Sequence, residues 1–438
     1  MFKKFSLVLF GLGVITSSAN ATDLMDVYQQ VLAADPRVRL AAINIQIGAD
    51  RESQVMADLL PQLSVSSSIS TVRQDFEGKT SGSDRKSFKG ERYSAVLSQS
   101  LFDLPKFYNW QRQQKMTNQF SHDQLEIQQQ IMLDVVLRYF EVLSAQDNLT
   151  VAENEKVVTQ GILKQLKRQY EKQLVKITDL MAAQARSDFA NAQMIEAQTT
   201  LIIAKEQLTE LTGSPVKALK PLWKGFEFQP VEGDVKKWLA LLTANNTKLL
   251  SKNDAIAAEK LGIKQQRSGH LPVVDFQLMV QRTDMGFNSS TIGLTNITSA
   301  SVNVNMPLFS GGKTSALHSE AIHKLEASKL EYETEFRKLR RELIGYLTGI
   351  NASVEKIKAA KTALNSANKN YKSMDKGFKY GVVDASDLFE AQSFVSKANR
   401  DLFDSKYQYI SNKTNLMYIG GMITHQELEL INLWLEQK

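Results

Sequence analysis

The sequence predicts a mixed, internally duplicated fold of long antiparallel α-helices joined through four β-strands, too few to close on themselves. Three observations carry this. Tyr170–Gln184 (YEKQLVKITDLMAAQ) and Phe378–Gln392 (FKYGVVDASDLFEAQ) align at a shift of 208 residues, which holds to Leu208–Gly213 against Leu416–Gly421. The eight prolines avoid residues 106–173, 178–212, 313–377 and 386–419. A proline costs a helix interior about 3 kcal/mol, so these segments are candidates for uninterrupted helices. Between them lie short stretches in which apolar and polar residues alternate. A duplicated unit that cannot close a core alone must pack against its copy or against other chains.

The chain opens on basic Lys3 and Lys4, an apolar run Phe5–Ile15, and Ala19-Asn20-Ala21. That is the pattern of a secretory signal over residues 1–21, with a mature start at Thr22; the apolar run is too short to span a bilayer. Without Lys3 and Lys4 the formal charge falls from +6 to +4, so no nucleic-acid partner follows. The absence of cysteine excludes disulfides, thiolate metal sites and lipid attachment at the cleavage site. No later segment has about 18 consecutive apolar residues, which leaves a periplasmic, a secreted or an outer-membrane barrel protein.

A helix is expected over about 37–60, then strands over about 62–72 and 92–101. A helix from Lys106 to about Gln173 would run roughly 100 Å at 1.5 Å per residue. The helix over 178–212 is half that length, so helix 37–60, stacked on it end to end, supplies the rest of an antiparallel partner. The second copy repeats the scheme: helix 247–269, strands 273–282 and 299–307, long helix 313–377, short helix 386–419. Met194, Leu201 and Leu208 recur every seven residues beside Ala190, Ala197, Ala204 and Leu211; Leu388, Val395, Leu402, Tyr409 and Leu416 do the same in the second copy. Alternating large and small seam residues suit close coiled-coil contact, as they also suit an ordinary bundle core.

In the strands, Leu63, Val65 and Ile69 alternate with Gln62, Ser64, Ser66, Ser68 and Ser70. Tyr93, Ala95 and Leu97, then Val274, Phe276, Leu278 and Val280, then Val302, Val304 and Met306 follow the same rule. The polar face is small and uncharged apart from Asp275, as suits a water-filled lumen. The joining segments Gln74–Glu91 and Thr283–Asn296 read as long polar loops, exposed at the cell surface. Four strands cannot close a barrel, and lipid does not tolerate unpaired strand edges, so several chains must share one barrel; three would give twelve strands.

Enzymatic constellations do not assemble. Phe309-Ser310-Gly311-Gly312-Lys313-Thr314-Ser315 imitates a phosphate-binding loop, but Pro307 stands where its first glycine is needed. The five histidines hold no i, i+3 or i+4 pair, and there is no G-x-S-x-G. No cofactor, metal or catalytic residue is expected. The repeated Thr178-Asp179-Leu180 and Ser386-Asp387-Leu388 open the short helices, where Asp384 or Ser386 is suited to cap and acids suit the dipole. Asp387 and Glu390 share a helix face, and symmetry would turn each into a carboxylate ring, as in cation-selective pores.

From about Thr22 to Thr424 the chain resembles the TolC-like family of outer-membrane efflux and type I secretion channels. Leu24–Gln30 resembles the family's mature N-terminus. Leu59-Leu60-Pro61-Gln62-Leu63 and Gly269-His270-Leu271-Pro272 match its helix-to-strand entries, and Leu101-Phe102-Asp103 and Pro307–Gly312 its returns. The resemblance implies a homotrimer: a twelve-stranded barrel in outer-membrane lipid, a long periplasmic helical barrel, and an equatorial belt drawn from 214–246 and 422–438. Repeats would span 22–213 and 235–421, joined by a linker at 214–234 and followed by 422–438. The function implied is passive export of small molecules or proteins from a periplasmic adaptor and an inner-membrane ABC or proton-driven pump, through a gate at the coil tips. Residue by residue, Asp387 and Glu390 take the place of the acidic pore constriction, Thr178, Asp179 and Phe378 that of closed-state links. Gly381, Val382 and Val383, with Leu174, Val175 and Lys176, take that of the adaptor-docking tips. Val383 stands where the family type has an arginine, and Gln173 where it has a glycine. The alternative class is a soluble periplasmic coiled-coil scaffold or adaptor, which would show one helical hairpin in lipoyl-like β segments rather than two helix-strand-strand-helix copies.

Overall fold

A computed structural model describes residues 21–76, 84–285 and 294–436. The N-terminal secretory signal, apart from Ala21, lies outside the described residues, as does the Ser81-Gly82 stretch of the first strand connection. The chain runs α1 (Leu24–Ala34), α2 (Pro36–Ala57), β1 (Gln62–Phe76), β2 (Asp84–Phe102), α3 (Leu104–Glu171) and α4 (Ile177–Thr212). It continues with α5 (Val235–Asn245), α6 (Thr247–Ser268), β3 (Val273–Met285), β4 (Thr295–Asn305), α7 (Lys313–Lys379), α8 (Ala385–Ile419) and α9 (His425–Asn432). The long helices α3 and α7 have 68 and 67 residues, about 100 Å each. Asp103 caps α3 by accepting from the Lys106 N–H at 3.0 Å, with Pro105 in the first turn where its missing N–H costs nothing.

The long helices pack along columns of shorter ones. α3 packs against α2 and α4 on one side and against α6 and α8 on the other; α7 packs against α6 and α8. The short helices meet end to end. Where α4 stops, Gly213 takes φ 67°, and a Cβ there would lie 3.1 Å from Ala34 Cβ, just before α2 begins. Asp35 then caps α2 by accepting from the Arg37 N–H at 2.8 Å, and the Arg37 guanidinium bridges to Asp134 of α3 at 2.7 Å. At the matching joint Gly421 takes φ 66°, and a Cβ there would lie 2.3 Å from the Asn245 carbonyl oxygen. Asn246 stitches the two helices: its Nδ2 donates to the Ile419 carbonyl at 2.9 Å and its Oδ1 accepts from the Leu249 N–H at 3.1 Å. Only glycine adopts such left-handed turns and close approaches without strain.

Most of the seam residues are buried, while Met194, Ala197, Leu211 and Val395 are half-buried. Ala190, Leu201, Ala204 and Leu208 are buried, as are Leu388, Leu402, Tyr409 and Leu416. The main core surrounds the joints and holds a belt together. Thr22 lies between Ala218 and Lys220, donating at 2.8 Å and accepting at 3.1 Å, while Trp223 and Glu436 bond Trp434 and Pro221. Fully buried Tyr139 of α3 places its hydroxyl 3.1 Å from the Thr22 carbonyl and 3.0 Å from that of Lys220. The N-terminal segment, with α1, thus joins the linker and the C-terminal segment in this belt.

The strands form one antiparallel sheet in the order β1-β2-β3-β4, with β1 and β4 at its edges. They are longer than the alternation suggested: residues 74–76, 84–91, 283–285 and 295–296, read as loop, belong to strands. Met306 and Pro307, read as strand, lie beyond β4. Charged residues such as Arg73 and Lys89 hide the period of two, but the ladder continues through Thr71–Lys89 and Arg73–Ser87. Among the described residues no helix is long and apolar enough to cross a membrane.

Candidate functional site

Two surfaces hold the residues of interest: the sheet at one end of the long helices and the helical tips at the other. On the sheet, register aligns Leu63, Leu97, Leu278 and Ala300 in one row and Val65, Ala95, Val280 and Thr298 in the next. This face lies bare: Leu63, Val65 and Ile69 are 71%, 78% and 73% exposed, and Val302 and Val304 60% and 68%. From Tyr93 to Leu101 the apolar band spans about 20 Å of height once strand tilt is included, close to the band of a transmembrane barrel. The opposite face carries serines and amides, with Ser66 and Ser94 hydroxyls 2.7 Å apart.

The tips are two tight turns of identical backbone logic. α3 ends with the Leu174 N–H bonded to the Gln169 carbonyl at 2.9 Å and the Gln173 N–H to Tyr170 at 2.8 Å. α7 ends with the Val382 N–H bonded to Gly377 at 2.9 Å and the Gly381 N–H to Phe378 at 3.2 Å. Both are Schellman closures, which need a left-handed residue. Gly381 supplies it at φ 73° and Gln173 at φ 61°; Gln173 is the one non-glycine residue with positive φ among the described residues. Val383 leans over α7 so closely that a Cβ on Gly377 would lie 2.5 Å from its Cγ2.

A small satellite core stiffens the tips: Ile162, Leu166, Ala183, Phe378, Leu388 and Phe389 are buried together, with Val175, Leu180 and Tyr371 packed against them. Phe378 is therefore turned into the tip at 6% exposure, and its ring has no hydroxyl to link with; what it contributes in this chain is packing. Leu174 and Val382 stand out at 70% and 81% exposure, Tyr380 at 84%, and Lys176 and Gly381 are also exposed. Tyr380, adjacent to the turn, went unremarked in the sequence because its counterpart is Lys172. Thr178 and Asp179 sit exposed in the first turn of α4, their side chains 3.4 Å apart.

Asp387 and Glu390 are exposed on one face of α8, on either side of the buried Leu388 and Phe389. The capping expectation fails here: Asp384 occupies the cap position of α8 but makes no side-chain cap bond, and Lys176 at the cap position of α4 makes none either. The acids are thus left to solvent rather than consumed in the helix start. Higher in the wall Arg400 of α8 meets Glu155 of α3 at 3.3 Å, tying the two repeats together. Near the belt Tyr407 donates to Asp147 at 2.6 Å; burial pushes the Asp147 carboxyl up and the Tyr407 hydroxyl well above its usual value. Among the described residues no cluster of His, Cys, Asp and Glu is arranged to hold a metal ion.

Comparison with known proteins gives this geometry a family. The profile of the outer membrane efflux protein family matches residues 27–214 and 238–421. The outer membrane protein TolC of Escherichia coli (strain K12) is 26% identical, over 98% of this chain and 89% of its own length. The alkaline protease secretion protein AprF of Pseudomonas aeruginosa is 27% identical, over 97% and 90%. The crystal structure of the Campylobacter jejuni CmeC outer membrane channel superposes with a TM-score of 0.79 at 14% identity, over 100% of this chain and 98% of that one. The chain belongs to the outer membrane efflux protein family, the TolC-like channels of efflux and type I secretion.

Proposed function

We propose that three copies of this chain assemble into one conduit through the outer membrane, each giving four strands to a twelve-stranded barrel and four helical columns to a periplasmic tube. The carrying observation is the open sheet, apolar on one face, polar on the other and unpaired along β1 and β4. In lipid such edges must be paired by another chain. Two copies would give eight strands, a barrel that its own side chains fill; twelve is the smallest multiple of four that leaves a channel. In this reading residues 1–21 are the signal, 22–213 and 235–421 the structural repeats, and 214–234 and 422–438 parts of the belt.

The helices then form the periplasmic extension, and the tips face the inner membrane. Asp387 and Glu390 ring the narrowest aperture, and Thr178 and Asp179 belong to the contacts that hold the tips closed; Phe378 supports them from within. Leu174, Val175, Lys176, Gly381, Val382 and Val383 dock a periplasmic adaptor that couples the duct to an inner-membrane ABC or proton-driven pump. The protease-secretion relative supports proteins as cargo, and the efflux family supports small molecules. The duct itself performs no chemistry.

Native mass spectrometry of detergent-purified protein, with planar-bilayer recording of the same sample, tests the assembly. Trimers that conduct are expected. A monomer that stays soluble after cell lysis and forms no channel would end the barrel reading.

A further inference from the structure

The polar face of the sheet has a charged position at its helical end. Its rows run Ser68–Arg92–Thr283, Ser66–Ser94–Gln281, Ser64–Val96–Met279, Gln62–Ser98–Gln277 and Ser100–Asp275–Asn303. Across these rows Asp275 is the one carboxylate, and the other charge, Arg92, lies at the far, loop end. Asp275 is fixed in place. The Ser100 hydroxyl donates to its Oδ1 at 2.9 Å, and Lys106 Nζ, reaching back from the first turn of α3, donates to Ser100 Oγ at 2.7 Å. Lys106 is itself balanced by Asp103, 3.4 Å away and nearly buried. Asp275 therefore meets the lysine only through a hydroxyl. A pocket of about 340 Å³, lined by Asp58, Gln62, Ser98, Gln277 and Asn303 as well, opens beside it.

We propose that Asp275, positioned by Ser100 and Lys106, is a specificity-determining residue of the conduit: an anionic ring at the mouth where barrel meets helical tube, favouring cationic solutes and cationic groups of cargo. This rests on the three-chain barrel, which turns the polar face into the lumen and repeats Asp275 three times. The ring is wide. A twelve-stranded barrel is about 20 Å across, so its carboxylates stand farther apart than the Debye length of about 10 Å at 0.1 M salt. At 0.01 M the Debye length is about 30 Å and their fields merge across the lumen. Acids crowded at a narrow tip resist screening far better, so the two rings separate by salt dependence.

The test uses the full chain in planar bilayers, in a background where the tip acids are neutralised by Asp387→Asn and Glu390→Gln. Adding Asp275→Asn should lower the potassium-to-chloride permeability ratio by about two-fold in 0.01 M KCl and leave it unchanged in 1 M. Lys106→Gln in the same background should raise the ratio in dilute salt. Ser100→Ala, which keeps both charges, should shift it less than either. Channels of ordinary conductance whose ratio in dilute salt ignores Asp275→Asn would overturn the proposal, as would indifference to Lys106→Gln should the aspartate variant fail to assemble. Failure of the unaltered chain to conduct would instead strike the barrel reading itself.

Discussion

The two tips share one backbone and differ in what the starts of α4 and α8 expose. Tyr170 is 40% exposed where its counterpart Phe378 is 6%, and Met181 is 56% exposed where Phe389 is 7%. Ala182 occupies the position that Glu390 holds in the second copy. The first tip puts Ile162, Leu166 and Ala183 into the shared core but shows apolar side chains, Leu174, Ile177 and Met181, from its turn into the start of α4. The second also exposes Tyr380 and Val382 at its turn, but along the start of α8 it draws Leu388 and Phe389 in and presents Asp387 and Glu390 outward. Duplication preserved the turn and let the helix starts diverge: that of α4 is largely apolar outside, that of α8 carries Asp387 and Glu390. The closures are equivalent in hydrogen bonding, so the divergence lies in side chains rather than in the path of the chain.

The largest expected effect breaks the comparison at its buried end. Phe389→Ala should destabilise the tip by about 3–5 kcal/mol, because a cavity opens in a small cluster. Its counterpart Met181→Ala should stay within about 0.5 kcal/mol, because it is already in solvent. Hydrogen exchange of amides near the end of α3 and the start of α8 reads both, and equal effects would show that the two tips are not differently packed. Next comes charge. Asp387→Ala with Glu390→Ala should reduce cation preference in single-channel recordings while leaving the trimer intact, since neither acid caps its helix. The same change at Asp179 should alter selectivity much less.

The turns themselves come third. Gln173→Gly should stabilise the first tip by up to about 1 kcal/mol by relieving a left-handed side chain, and Gly381→Gln should cost the second tip about as much. Thermal melts of the detergent-solubilised protein read this, and a loss on Gln173→Gly would mean that the glutamine is held by contacts the turn needs. The smallest effect separates the two helix joints rather than the tips. Burial pushes the Asp35 carboxyl up, but the Arg37 side chain and N–H outweigh it and hold it below the usual carboxylate range. A carboxyl depressed in the folded state adds stability above its unfolded value near 3.9 and loses it as pH falls through the folded value. The start of α2 should therefore loosen below about pH 4, while α6, capped by neutral Asn246, should not. Equal loosening in exchange measurements corrected for intrinsic rate would remove the distinction.

Much of this was legible in the chain. The proline-free stretches 106–214 and 308–438 hold the four principal helices, whose expected ends fall within two residues of the observed ones, but no proline marks the breaks at 172–176 and 380–384. Alternation fixed the faces of the strands but not their length, since Arg73, Lys89 and Arg282 interrupt the apolar period where the ladder still runs. The 208-residue alignment sets Gln173 against Gly381, but that the glutamine is left-handed emerges only from its backbone angle. It did not reveal that Phe378 turns inward, because burial at a tip depends on how four helices meet. The belt's reliance on Thr22 and Tyr139 was equally hidden, for those bonds cross more than 80 residues of sequence.

The absence of cysteine opens a direct test of the account, that copies of the chain surround one aperture lined by the second tip. Asp387→Cys and Asp179→Cys, each the sole thiol in its chain, can be oxidised in purified trimers and treated with a charged thiol reagent during recording. The account predicts disulfide-linked dimers and a blocked current from Asp387→Cys, and neither from Asp179→Cys. Linked chains and a blocked current from Asp179→Cys, with Asp387→Cys unlinked and open, would place the aperture at the first tip and contradict it.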